Sequence, residues 1–298
     1  MSAGYAPNAE CTYYSLGGPF LEDFRLIHEH FPEIRLVSIE SDEATYSRQK
    51  FHRFCKRIQL VLSRVENFLE KEFVPGARDI IWLDFTDFRV SHFSTLESLL
   101  PKLGDGSLVR VTLPVNPPLA PNYFAYLSKV ERAQRLNIKR DEFDRRFSEY
   151  LVKGWEDHLE NDSSMSALIA RMLENVCGKV ALSDNLSARL VSAHRYADGQ
   201  SMMTASIVIM RDAGLAKLVA FKPMQQEKIA ACLLDMPLLS VKERLKLAES
   251  LPQSKPSGKL LSKRLGYLID RDSVKSERSM EQYSRYHRHY PLFGRIDL

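Results

Sequence analysis

Tyr13-Tyr14-Ser15-Leu16-Gly17-Gly18-Pro19-Phe20-Leu21-Glu22-Asp23, followed by Arg35-Leu36-Val37-Ser38-Ile39-Glu40, is the stretch that decides the fold of this chain. Two β-rich runs flank a segment whose apolar residues (Phe20, Leu21, Leu26, Ile27) recur at helical spacing. The glycine pair at the strand-to-helix corner lets backbone come close to a ligand. A carboxylate that ends the second strand of a βαβ unit can accept hydrogen bonds from a ribose. Glu40 lies 23 residues after Gly17, near the offset of roughly 20 residues expected of a ribose-binding acid. The pattern points to a nucleoside-bearing ligand and leaves the reaction open.

The same alternation continues outward. Residues 58–62, 79–84 and 107–113 are β-rich, and helical patterns fill 43–54, 64–73 and 93–100 between them. Strands alternating with helices predict βαβ units and a mainly parallel sheet. Pro114, Pro117, Pro118 and Pro121 interrupt the pattern, and residues 122–182 then read as helical and highly charged. Three β-rich runs follow (189–196, 202–210 and 215–221), separated by Asp198-Gly199 and Asp212-Ala213-Gly214, so an antiparallel meander is expected to finish the sheet. The fold class is therefore α/β: a Rossmann-like, mainly parallel sheet with an antiparallel end, a helical insertion at about 114–182 and a helical C-terminal region. The expected division is 1–221 and 222–298, with the Pro, Ser, Lys and Gly residues of 252–259 as the best candidate linker.

At 298 residues, 44% hydrophobic and 27% charged, the chain can bury a full core. No apolar run approaches the roughly 18 residues of a membrane span, and the start lacks a secretory pattern. The four cysteines, Cys11, Cys55, Cys177 and Cys232, are scattered, which fits a cytoplasmic protein and gives no metal knuckle. Charge is uneven. Ten Lys and Arg stand against five Asp and Glu from Lys255 onward, a net of +5, whereas residues 1–254 sum to −1. A basic C-terminal region suits nucleic acid or an acidic protein, or simply a solvated helical face.

In this order and spacing the chain resembles the class I S-adenosylmethionine-dependent methyltransferases over roughly residues 11–221. Ser15-Leu16-Gly17-Gly18 stands where that family places its glycine loop, Glu40 where its ribose-binding acid ends the second strand, and Leu83-Asp84-Phe85-Thr86-Asp87-Phe88 where an acid and aromatic residues face the methyl group. The resemblance implies S-adenosyl-L-methionine as cofactor, held by Gly17, Gly18, Glu40, Asp84 and Phe85, and methyl transfer to an unidentified oxygen or nitrogen acceptor with Asp84 and Asp87 as catalytic residues. There are departures. Ser15 replaces the acid before the first glycine, Pro19 and Phe20 replace later glycines, and Ser63-Arg64 stands where many members carry an acid near the adenine. These departures keep a second reading in view, a binding or scaffold protein that retains the architecture without turnover.

Each candidate also has a plain packing explanation. Gly17 and Gly18 can serve a tight turn. Glu22 and Asp23 suit the positive end of a helix dipole. Glu40 stands beside Ser41, Asp42 and Glu43, and Ser41 or Asp42 could start the next helix. Asp84 suits positioning of the acceptor or the methionine end, Asp87 a base, and Phe85 either a sulfonium contact or ordinary core packing. Asn116 lies in the Pro-rich loop, and His194 reads as a strand histidine rather than a base. Tyr283, Tyr286 and Tyr290 sit among cations in the tail; their i, i+3, i+7 spacing reads as a buried stripe in preference to a base-stacking surface.

Overall fold

The computed structural model describes residues 11–116, 131–182, 185–197, 199–211, 213–214 and 231–289. Five parallel strands are laid down first: β1 (Cys11–Ser15), β2 (Arg35–Glu40), β3 (Ile58–Leu62), β4 (Arg78–Asp84) and β5 (Ser107–Pro114). Helices α1 (Glu22–His30), α2 (Glu43–His52), α3 (Val65–Lys71) and α4 (Val90–Leu99) connect them. Next come α5 (Arg132–Phe147) and α6 (Asp162–Lys179), then the long hairpin β6 (Leu186–Ala197) and β7 (Ser201–Arg211), and a two-residue β8 (Cys232–Leu233). The sheet order is β3-β2-β1-β4-β5-β7-β6-β8. Pairing is parallel from β3 to β5 and antiparallel where β7 meets β5 and β6. The antiparallel end is thus a hairpin with β7 inserted beside β5. The third run of the expected meander, 215–221, lies outside the described residues.

The strands alternate between two faces because successive side chains point to opposite sides. Tyr14, Val37, Ile81, Leu83, Val109, Val111 and Ile207 face the larger core with α3, α4, α5 and α6. Tyr13, Leu36 and Ile58 face a smaller core with Phe24 of α1. The helical insertion is nailed to the larger core by aromatic rings: Phe88 lies 4.9 Å from Phe147, and Phe93 stacks 5.1 Å from Tyr150. Burying each such ring contributes about 1.5–3 kcal/mol. Chain order reverses between β1 and β4, so the crevice at their carboxyl ends is where an open α/β sheet holds ligands. Among the described residues no helix is long and apolar enough to cross a membrane.

The chain divides into two compact units at Cys232/Leu233, later than the 221/222 boundary expected from sequence. The second unit holds α7 (Val241–Ala248), α8 (Gly258–Leu265) and α9 (Ser273–Tyr286). Leu239, Leu247, Leu261, Leu265, Met280 and Tyr283 form its core. The stretch 252–259 is not a linker between domains. Gln253 Oε1 accepts hydrogen bonds from the Ser257 N–H at 2.9 Å and the Ser284 hydroxyl at 3.0 Å, and Gly258 already begins α8. A Cβ at Gly258 would fall 1.7 Å from Glu277 O, so this glycine permits α8 to meet α9 backbone to backbone. Tyr283 is buried in this core and Tyr286 is half-buried, as the stripe spacing predicts; Tyr290 lies outside the described residues.

Candidate active site

The β1–α1 corner is built from three left-handed residues: Gly17 (φ 68°), Gly18 (φ 52°) and Leu21 (φ 55°). The two glycines differ in purpose. A Cβ on Gly17 would meet Ser38 Oγ at 2.7 Å, Leu21 at 2.8 Å and Phe24 at 2.9 Å, so Gly17 lets the loop settle onto the core. A Cβ on Gly18 would meet nothing within 4 Å. Gly18 is the member of the pair that turns exposed backbone toward open space at the carboxyl-end rim of the sheet.

Gln49 holds this loop, and sequence reading missed it. Its side chain is fully buried on α2. Nε2 donates to Gly18 O at 2.9 Å and Leu16 O at 3.1 Å, while Oε1 accepts from the Ser38 hydroxyl at 3.1 Å. One amide therefore satisfies two loop carbonyls and ties them to β2. Pro19 and Phe20, which depart from the family's glycine pattern, follow a loop secured in this way. Ser15, in place of the usual acid, is buried. Nearby, the Tyr13 hydroxyl donates to Asp23 Oδ2 at 2.7 Å, and burial first, then the Asp23 charge, pushes its pKa up. Asp23 thus anchors the start of α1, while Glu22 is exposed.

Glu40 ends β2, half-buried. Its Oε1 accepts from the Asp42 N–H at 2.8 Å, which orients the carboxylate at the strand tip. Asp42, and not Glu40, caps α2: it accepts from the Thr45 N–H at 2.7 Å, and that bond holds its carboxyl below the usual range. The Ser63 N–H donates to Glu40 O at 2.8 Å, so the tips of β2 and β3 are tied together where Ser63-Arg64 departs from the family.

At the tip of β4 the expected site residues part company. Asp84 is exposed at the strand end, in register with Thr112 of β5. Phe85 is buried and belongs to the larger core, with one ring face stacked on His92 at 3.7 Å. Asp87 accepts from His92 Nε2 at 2.7 Å through one oxygen and pairs with Arg89 through the other. Both its oxygens are therefore committed to neighbours. His92, on α4, is a second residue that sequence reading did not single out. It is 4% exposed, and burial pulls its pKa down against the opposing pull of Asp87. On the rim of β5, Asn116 Oδ1 accepts from Lys139 Nζ at 3.1 Å, which fixes α5 over that strand end. His194 lies on β6, half-buried, its pKa lowered by burial and by Arg110.

The corner, the strand-end acid and the strand order define a Rossmann-like fold of the class I methyltransferase type. The chain belongs to the family described as "Putative O-methyltransferase", whose pattern it matches over residues 3–298. Solved structures give weaker likenesses. The plantazolicin methyltransferase BamL, crystallised with a desmethylplantazolicin analogue and S-adenosylhomocysteine, is 11% identical, with 67% of this chain and 76% of that one covered and a TM-score of 0.40. The "putative methyltransferase yhhF" of Escherichia coli is 12% identical over 69% and 78%, with a TM-score of 0.35. A "putative rRNA-methylase" of Clostridium thermocellum is 7% identical over 69% and 89%, with a TM-score of 0.36. No curated protein matches the chain significantly.

Proposed function

We propose that this chain binds S-adenosyl-L-methionine and transfers its methyl group to an oxygen of an acceptor. The observation that carries this reading is Gly18: a left-handed residue facing open space, held by Gln49, in the loop after β1, whose neighbouring strand β2 ends at Glu40. These residues fit an adenosyl ligand, with Glu40 for the ribose hydroxyls and the Gly17–Gly18 corner for close backbone approach. The family description supports an oxygen acceptor. When bound, the cofactor supplies an electrophilic methyl on a sulfonium.

The chain's own residues must then position the acceptor, exclude water and take its proton. We assign that proton to Asp84, exposed at the end of β4; Asp87 is bonded to His92 and Arg89. Asp87 and His92 hold the β4–α4 turn, and with it Phe85, in place. Acceptor choice falls to the insertion anchored through Asn116 and Lys139.

Isothermal calorimetry with S-adenosylhomocysteine tests the reading. Saturable binding that weakens by roughly tenfold or more in Glu40→Gln supports it, since a charge-assisted hydrogen bond is worth about 1.5–3 kcal/mol. Folded wild-type protein that binds neither this compound nor S-adenosylmethionine would favour the scaffold alternative.

A further inference from the structure

Among the described residues the smaller core reaches β4. Its outermost members are Ile80 and Trp82, and the helix packing on that face comes from α1 at Leu21–Ile27 with neighbouring residues near 54–55. Beyond Trp82 the same sheet face mixes apolar residues, Leu108 and Val208, with polar ones. The register places Trp82 beside Arg110 of β5, and Thr112 beside Thr204 of β7, which in turn lies opposite His194 of β6.

Arg110 is the centre of this row. Its guanidinium carbon lies 5.0 Å from the centroid of the Trp82 ring, and its Nε donates to Thr204 Oγ1 at 2.9 Å. Trp82 is fixed in turn, its Nε1–H donating to Thr112 Oγ1 at 3.0 Å. The ring contact and the hydrogen bond together hold the guanidinium in place. Arg110 is nonetheless exposed, and among the described residues no carboxylate lies in ion-pair contact with it. An arginine that serves only solubility needs neither anchor. A planar fork with Nε tethered and, among the described residues, no hydrogen bond from its terminal amino groups matches an oxyanion in bidentate geometry. The charged and titratable groups around it are His194, Tyr13 with its partner Asp23, and Asp84 two register pairs nearer the rim.

We infer that Arg110, with Trp82 and Thr204 as positioning residues, is an oxyanion subsite for the methyl acceptor. The ligand class is an aromatic acid or aryl phosphate: its anionic group meets Arg110 while its nucleophilic oxygen reaches the Asp84 rim. Two residues along a strand span about 7 Å, roughly one substituted aromatic ring. Only the word acceptor rests on the methyl-transfer reading; the anion subsite stands on the sheet geometry alone.

The test uses the full chain carrying Trp155→Phe, which leaves Trp82 as the sole indole of the two. Sodium benzoate and phenyl phosphate are titrated separately at constant ionic strength, with and without saturating S-adenosylhomocysteine, while Trp82 emission is followed. A saturable change with one of them, weakened at least tenfold by Arg110→Met and partly retained by Arg110→Lys, is the expected result; whichever anion binds more tightly identifies the group. Thr204→Val, which removes the Nε tether, should weaken the same probe and gives the comparison should Arg110→Met fail to fold. No saturable change with either anion, or equal affinity in the Arg110 variants, overturns the subsite. Calorimetry with S-adenosylhomocysteine on the same variants separates the two readings. Anion binding without nucleoside binding would retain the subsite and reject methyl transfer, and the reverse would reject the subsite alone.

Discussion

At the scale of single residues, adjacent glycines carry different burdens. Gly17→Ala forces a side chain into a left-handed backbone, at about 1–2 kcal/mol, and drives its Cβ against Ser38, Leu21 and Phe24. Gly18→Ala meets only the backbone cost, because the space around it is open. Thermal unfolding should therefore show a larger loss for Gly17→Ala, and ligand titration a larger proportional loss for Gly18→Val. Gln49→Leu removes the partner of two loop carbonyls and a buried hydroxyl. It should cost about 1–3 kcal/mol by leaving those groups unsatisfied, and it should weaken S-adenosylhomocysteine binding, a pair of effects that denaturation and calorimetry can read. The glycine corner and Glu40 were legible in the sequence because spacing announces them. Gln49 was not, since a polar residue on a polar helix carries no periodic signal and its value lies in contacts 31 and 33 residues away.

At the scale of elements, the alternation of β1 to β5 with helices was legible because period-two and period-3.6 patterns switch cleanly there. The insertion of β7 between β5 and β6 was not, because a hairpin's sequence does not say which strand meets the sheet. The β4–α4 turn shows the same limit. Asp84 and Asp87 look equivalent in sequence, yet the helix brings His92 and Arg89 to Asp87 alone. Titration of His92 should be visible in stability. Burial lowers its folded pKa below the ordinary 6.5, opposed by Asp87 and Glu66 and reinforced by Arg89. The unfolded chain then binds the proton more readily, so this stabilisation is present above pH 6.5 and is lost as pH falls through the folded pKa. Urea unfolding of wild type against His92→Phe should show a steeper decline below that pH for wild type; parallel curves would dissociate His92 from the effect.

At the scale of the whole molecule, the two units differ in how they are stabilised. Among the described residues the first rests on a sheet with two cores, the second on an apolar core of six buried side chains around three helices. Leu261, fully buried in the second unit, should be sensitive: Leu261→Ala is expected to cost about 2–5 kcal/mol of that unit's stability, read by chemical denaturation, without changing nucleoside affinity. The excess positive charge was legible from composition; the Pro and Gly residues of 252–259, which read as a candidate linker, instead mark a packed turn within the second unit, because Gln253 bonds across it to Ser257 and Ser284. The central claim concerns the rim of the first unit, and nitrogen-15 NMR of the full chain titrated with S-adenosylhomocysteine tests it most directly. The amides of Gly17, Gly18 and Ser41 should shift first and saturate together. Shifts confined to the β6–β7 hairpin or to the second unit, with Gly18 unmoved, would contradict the account.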